Sequence, residues 1–153
     1  MSELGPIFWL SLVLSLADGP PAPDEAVLVT LEVEAVGFDS DRGHAIGALF
    51  HPGANVRDPK EAFSRTSSEI RGGQAVLRFP PATEGRYALV IFHDANDNGV
   101  VDHGLLGLPT EQLGFSNGFR PGLRSGLPTF DELGFELKRP PGPGPVRLRI
   151  EMR

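Results

Sequence analysis

The sequence predicts an all-β domain: an antiparallel β-sandwich of about six or seven short strands with one short helix. Three observations carry this expectation. Of 153 residues, 19 are Gly, 15 are Pro and none is Cys, so turns are dense and no disulfide frame exists. Apolar residues make up 40% of the chain, enough to form a core at this length, which argues against a disordered or collagen-like chain. Those residues recur at alternate positions in short runs rather than at helical spacing.

The elements follow in order. Ile7 to Ala17 is almost wholly apolar, too short to span a bilayer, and ends in Ser15-Leu16-Ala17, a small-x-small cleavage pattern. Residues 1–17 are therefore expected to be a signal peptide and the chain to be secreted or periplasmic, although the leader carries Glu3 and no Lys or Arg. Residues 18–26 form a Pro-rich linker and 27–153 a single domain. Val27 to Val36 alternates, with Val29, Leu31, Val33 and Ala35 on one face and Thr30, Glu32 and Glu34 on the other. Gly37 to Gly43 is turn-rich, which suggests a hairpin to the next strand, His44 to Phe50. Asp58-Pro59-Lys60-Glu61 carries a cap, a first-turn Pro and a capping-box Glu, predicting one short helix to about Ser64 with Ala62 and Phe63 touching the core. Gly72-Gly73 opens the strand Gln74 to Phe79, and Tyr87 to His93 is apolar on both faces, the pattern of a central strand covered on two sides. Leu133 to Lys138 and Val146 to Met152 complete the set.

The formal charge is −6, and Lys and Arg form no stripe. Nucleic acid and anionic membrane surfaces are therefore poor partners, and no integral membrane segment is expected in the mature chain. The absence of Cys removes thiol nucleophiles and thiolate metal sites.

The stretch from Asp94 to about Phe130 has no clear period, and loops of that length in a small domain are usually functional. It opens with D-x-N-x-N-G-x-x-D over Asp94 to Asp102. Hard cations want several oxygens about 2.3–2.6 Å away. Asp94, Asn96 and Asn98 at alternate positions, the carbonyl of Val100 and the carboxylate of Asp102 can converge on one Ca²⁺, with Gly99 permitting the bend. Leu105 stands where a helix-loop-helix site has its bidentate Glu, so that motif is rejected. With two charged ligands the affinity would be weak, about 10⁻⁴ to 10⁻³ M, and the ion would brace a loop rather than catalyse. The competing reading is that these Asx residues only form turns around Gly99.

Two further patterns resemble active sites. Gly114-Phe115-Ser116-Asn117-Gly118 fits G-x-S-x-G, but it lies in a Gly-rich loop and no His follows it, the last being His103. A metal-dependent hydrolase using His93, Asp94, Asp102 and His103 is the rival to a non-enzymatic module.

Phe92-His93-Asp94 through Gly99, Gly104 through Pro109 and Gly114-Phe115-Ser116-Asn117 resemble the bacterial family called domain of unknown function 2141. The strand end Ala48-Leu49-Phe50 and the segment Pro128 to Asp131 share in this resemblance, which spans Leu28 to Met152. It implies a secreted or periplasmic protein and no particular activity. The reading is thus an exported, non-enzymatic β-sandwich of transthyretin-like or immunoglobulin-like type. It is calcium-braced or Asx-turned at one end, with a Gly-rich loop face for an unknown protein or glycan, in which Phe115, Phe119 and Phe130 either form a contact surface or plug the open end of the sandwich.

Overall fold

The computed structural model describes residues 26–122 and 126–153, so the leader expected at 1–17 and nearly all of the linker lie outside the described residues. Among the described residues ten strands and one α-helical turn follow in chain order: β1 (Leu28–Val29), β2 (Leu31–Val36), β3 (His44–Phe50), β4 (Ser64–Glu69), β5 (Gln74–Arg78), β6 (Ala82–Thr83), β7 (Gly85–Asp94), β8 (Leu113–Phe115), α1 (Phe130–Leu133), β9 (Phe135–Leu137) and β10 (Val146–Glu151), with 3₁₀ turns at Pro59–Glu61 and Ser116–Gly118. The all-β expectation holds.

One sheet has the order β10-β2-β5; the larger has the order β4-β3-β7-β8, with β9 on β7 as well, and β1 pairs with β6. Alternation places Val33 and Ala35 of β2, Ala45 and Leu49 of β3, Leu77 of β5 and Leu89 and Ile91 of β7 in one buried cluster between the sheets. The opposite parity of the larger sheet feeds a second cluster, of Ala48, Phe50, Ala88, Val56, Phe115 and Leu133. The strand β7 therefore buries side chains on both faces, as its uninterrupted apolar run predicts. Burying each of the large side chains among these is worth about 1.5–3 kcal/mol.

Several local expectations are corrected. The sandwich is not purely antiparallel, because β10 lies parallel to β2 with Val146 opposite Leu31 and Glu151 opposite Val36. The opening run divides at Thr30, since Leu28–Val29 pairs with β6 while Leu31–Val36 pairs with β10 and β5. Gly37 to Gly43 makes no hairpin; it carries the chain from one sheet to the other. The predicted helix is a single 3₁₀ turn, Pro59–Glu61. Asp58 caps it as expected, accepting the Lys60 N–H at 2.9 Å, but the Glu61 carboxylate takes the Asn55 N–H instead of closing a capping box. Helix cannot continue because the Phe63 N–H is bonded to the Leu49 carbonyl and β4 begins at Ser64. Ala62 packs at the second cluster, whereas Phe63 stays half exposed against His51 and Tyr87. Gly72 and Gly73, at φ +59° and +73°, form the two-residue turn between β4 and β5, and the strand expected from Gln74 opens directly after them but ends at Arg78. The capping box occurs at Thr129 and Glu132, which start α1 and shorten the following strand to Phe135–Leu137.

Candidate functional site

The loop after β7 grows from the last rung of the β3–β7 ladder, where His44 lies opposite Asp94. Successive residues of a strand point to opposite faces. His93 accordingly enters the space between the sheets, where its ring meets Phe38 edge-on and its Nε2 is 2.8 Å from the Arg42 carbonyl oxygen. Asp94 points the other way, into the loop, and is 2% exposed.

That buried carboxylate organises the turn. Its two oxygens accept the N–H groups of Asn98 at 3.0 Å and Gly99 at 2.8 Å. The side-chain oxygen of Asn96 accepts from the Asn98 N–H, and that of Asn98 from the Val100 N–H, a run of Asx turns that holds Asp97 at φ +58°. The amide groups of Asn96 and Asn98 then donate to the two oxygens of Asp102, at 2.7 and 3.0 Å. The side chains of Asp94, Asn96, Asn98 and Asp102 are thus interlocked around one turn. Each carboxylate or amide oxygen that accepts one N–H keeps a second lone-pair direction. Among the described residues no group of three or more His, Asp or Glu side chains is arranged to hold a metal ion.

Sequence reasoning missed the residues that brace this loop. Glu111 accepts the N–H groups of Ala95 at 3.3 Å and Asp102 at 3.2 Å with its two oxygens. Asp97 pairs with Nδ1 of His44, and that hydrogen bond, reinforced by the charge of Asp97, raises the His44 pKa above its ordinary value. The guanidinium of Arg65 donates to the Gly99 carbonyl at 3.0 Å. At Gly43, with φ +66°, any Cβ would overlap the Asp94 carbonyl oxygen. None of these partners carries a motif signal: His44 and Arg65 are brought in by the register of β3 and β4, and Gly43 and Glu111 come from connecting segments distant in sequence or beyond the motif.

Beyond Asp102 the chain makes a tight excursion. His103 bridges to Pro109, Gly104 and Leu108 are joined by a 2.8 Å backbone bond, and the Thr110 N–H returns to the Asp102 carbonyl. Its tip carries Leu105, fully exposed, with Leu106 at 88% and Leu108 at 61%. The other candidate surface behaves differently. Phe115 is buried in the second cluster, with Phe119 and Phe130 packed against that cluster, so these aromatics plug the outer face of the larger sheet.

The G-x-S-x-G match is structural. Ser116 is 2% exposed, accepts the Leu89 N–H at 2.9 Å and donates to the Leu133 carbonyl at 2.6 Å, so its hydroxyl extends the β7 ladder and ties α1 to it. Gly114 is closely packed: a Cβ there would lie 2.7 Å from the Met152 sulfur and 2.8 Å from Cγ2 of Ile150, so those side chains would have to shift.

No helix among the described residues is long and apolar enough to cross a membrane. No curated protein and no solved structure matches the chain. A family model described as "Uncharacterized protein conserved in bacteria (DUF2141)" matches residues 33–142, which is more than half of the sequence and includes the whole Asp94–Asp102 loop. The chain belongs to that family.

Proposed function

We propose that the chain is an exported, non-enzymatic binding module whose leucine-tipped excursion at residues 103–110 engages a protein partner, and whose Asp94–Asp102 loop is braced by weakly bound calcium. The observation that carries this reading is the exposure of Leu105, Leu106 and Leu108 together on a hydrogen-bonded tip. Adjacent, fully solvated leucines are a cost to a lone soluble domain and mark contact surfaces. A protein suits such a tip better than a glycan, because the nearby aromatics that could stack on sugar rings are packed inward. Support for export is the apolar run Ile7 to Ala17 with its small-residue end. Support for calcium is the spacing of Asp94, Asn96, Asn98, Val100 and Asp102 around Gly99, which supplies oxygens in the order a calcium loop uses. Against the hydrolase reading stands the placement of His93 and Asp94 on opposite faces of β7.

The test is calcium and zinc titration followed by thermal melting, with a broad hydrolase screen in parallel. Calcium about tenfold above its dissociation constant adds about 1.4 kcal/mol, a rise in Tm of about 5 °C. That rise is expected to vanish in Asp102→Ala, and zinc to have no effect. Metal-dependent turnover that disappears in His103→Ala would overturn the proposal in favour of an enzyme.

A further inference from the structure

The strand β4 is anomalous. It forms the end of the larger sheet, hydrogen-bonds only to β3, and none of its six residues is buried. Along Ser64–Glu69 its outer edge has no backbone partner among the described residues; just beyond it Arg71 pairs with Gln74 across the Gly72-Gly73 turn. Exposed edges are normally blunted by Pro, by bulges, by inward-pointing charges or by charged side chains along the edge. Ser64-Arg65-Thr66-Ser67-Ser68-Glu69 has only the last of these: its register with β3 is unbroken, the residues on the inner parity, Ser64, Thr66 and Ser68, are uncharged, and its two charges, Arg65 and Glu69, are of opposite sign.

The outer parity carries Arg65, Ser67 and Glu69, opposite Ala48, Ile46 and His44 of β3. This order is complementary to itself when reversed. We propose that two copies of the chain associate edge to edge through β4, antiparallel about a twofold axis at Ser67, so that Arg65 of each copy faces Glu69 of the other. A twofold contact requires one patch to match itself, and a β4 pair does so twice, through two cross-strand ion pairs flanking a Ser67–Ser67 contact. The present partner of Glu69 is Arg71 at 2.6 Å, with side chains 65% and 83% exposed, and so solvated a pair is readily exchanged. Arg65 gives one amine to the Gly99 carbonyl, and its guanidinium has further N–H groups to offer a second acceptor. The joined sheet would run without interruption from β8 of one copy through both β4 strands to β8 of the other.

Six residues a side bury less than a standard interface, so association is expected at about 0.1 mM rather than at nanomolar concentration. Sedimentation velocity of the full chain from about 0.01 to 1 mM measures it. The wild type is expected to show a monomer–dimer equilibrium. Arg65→Glu and Glu69→Arg each replace both ion pairs by like-charge contacts and weaken the dimer at least about tenfold. In a mixture of the two variants, position 65 of each copy again faces an opposite charge at position 69 of the other, and the hetero-pair is expected within about threefold of the wild-type affinity. Thermal melting of each variant checks that the fold is intact. A wild type that stays monomeric throughout, or a dimer indifferent to both substitutions, would overturn the proposal, as would variants that weaken association but do not recover on mixing.

Discussion

Replacement of Ser116 by Ala separates the structural account of the G-x-S-x-G segment from a catalytic one. The hydroxyl accepts the Leu89 N–H at 2.9 Å and donates to the Leu133 carbonyl at 2.6 Å, both inside the protein. Its removal leaves a donor and an acceptor without partners where water cannot reach them. Each orphaned buried group costs about 1–3 kcal/mol, so Ser116→Ala is expected to destabilise by about 2–4 kcal/mol, partial relaxation included. For a domain of this size that lowers Tm by about 8–15 °C. Denaturant unfolding followed by far-UV circular dichroism gives the free energy directly, with the m-value reporting whether the folded state keeps its compactness. A variant within about 0.5 kcal/mol of wild type would refute the reasoning, because a surface or nucleophilic serine behaves in that way.

Two other consequences can be measured. Gly43→Ala places a methyl group against the Asp94 carbonyl in a left-handed backbone, and is expected to cost at least about 2 kcal/mol and to release amide protection at the β3–β7 end of the larger sheet, read by hydrogen exchange. His44 has a raised folded pKa, so the stability it contributes is fully present below its unfolded pKa and is lost as pH rises through the folded value. An NMR titration should show that elevation, and Asp97→Asn should remove most of it; an unchanged titration in Asp97→Asn would show that another group sets it.

Strands that bury an apolar face were legible from the residues alone. Val29, Leu31, Val33 and Ala35 alternate and are all buried, and the two-faced run of β7 correctly predicts its central place. The edge strand β4 was not legible, since Ser-Arg-Thr-Ser-Ser-Glu contributes no buried side chain and is ordered by pairing with β3. The Asp58 cap was readable but the length of what it starts was not, because a long-range bond to Leu49 competes for the next amide. The phenylalanines at 115, 119 and 130 sit in polar, Gly-rich sequence that admits either a contact surface or a plug; the second core cluster shows that they pack inward and which residues they cover. At the loop, the Asx pattern announced the turn, while Glu111, Arg65 and His44 arrive from other parts of the chain and leave no local trace.

The parallel partnership of β10 with β2 bears on the order in which the molecule can be made. The middle strand of the smaller sheet is synthesised early, yet one of its two flanks is supplied by residues Val146–Glu151, which leave the ribosome long afterwards. Until they arrive, one side of β2 has no strand to bond, and Ile150 and Met152 are missing from the interior. Closure over so long a separation in sequence is slow. The smaller sheet therefore remains unfinished until that flank emerges.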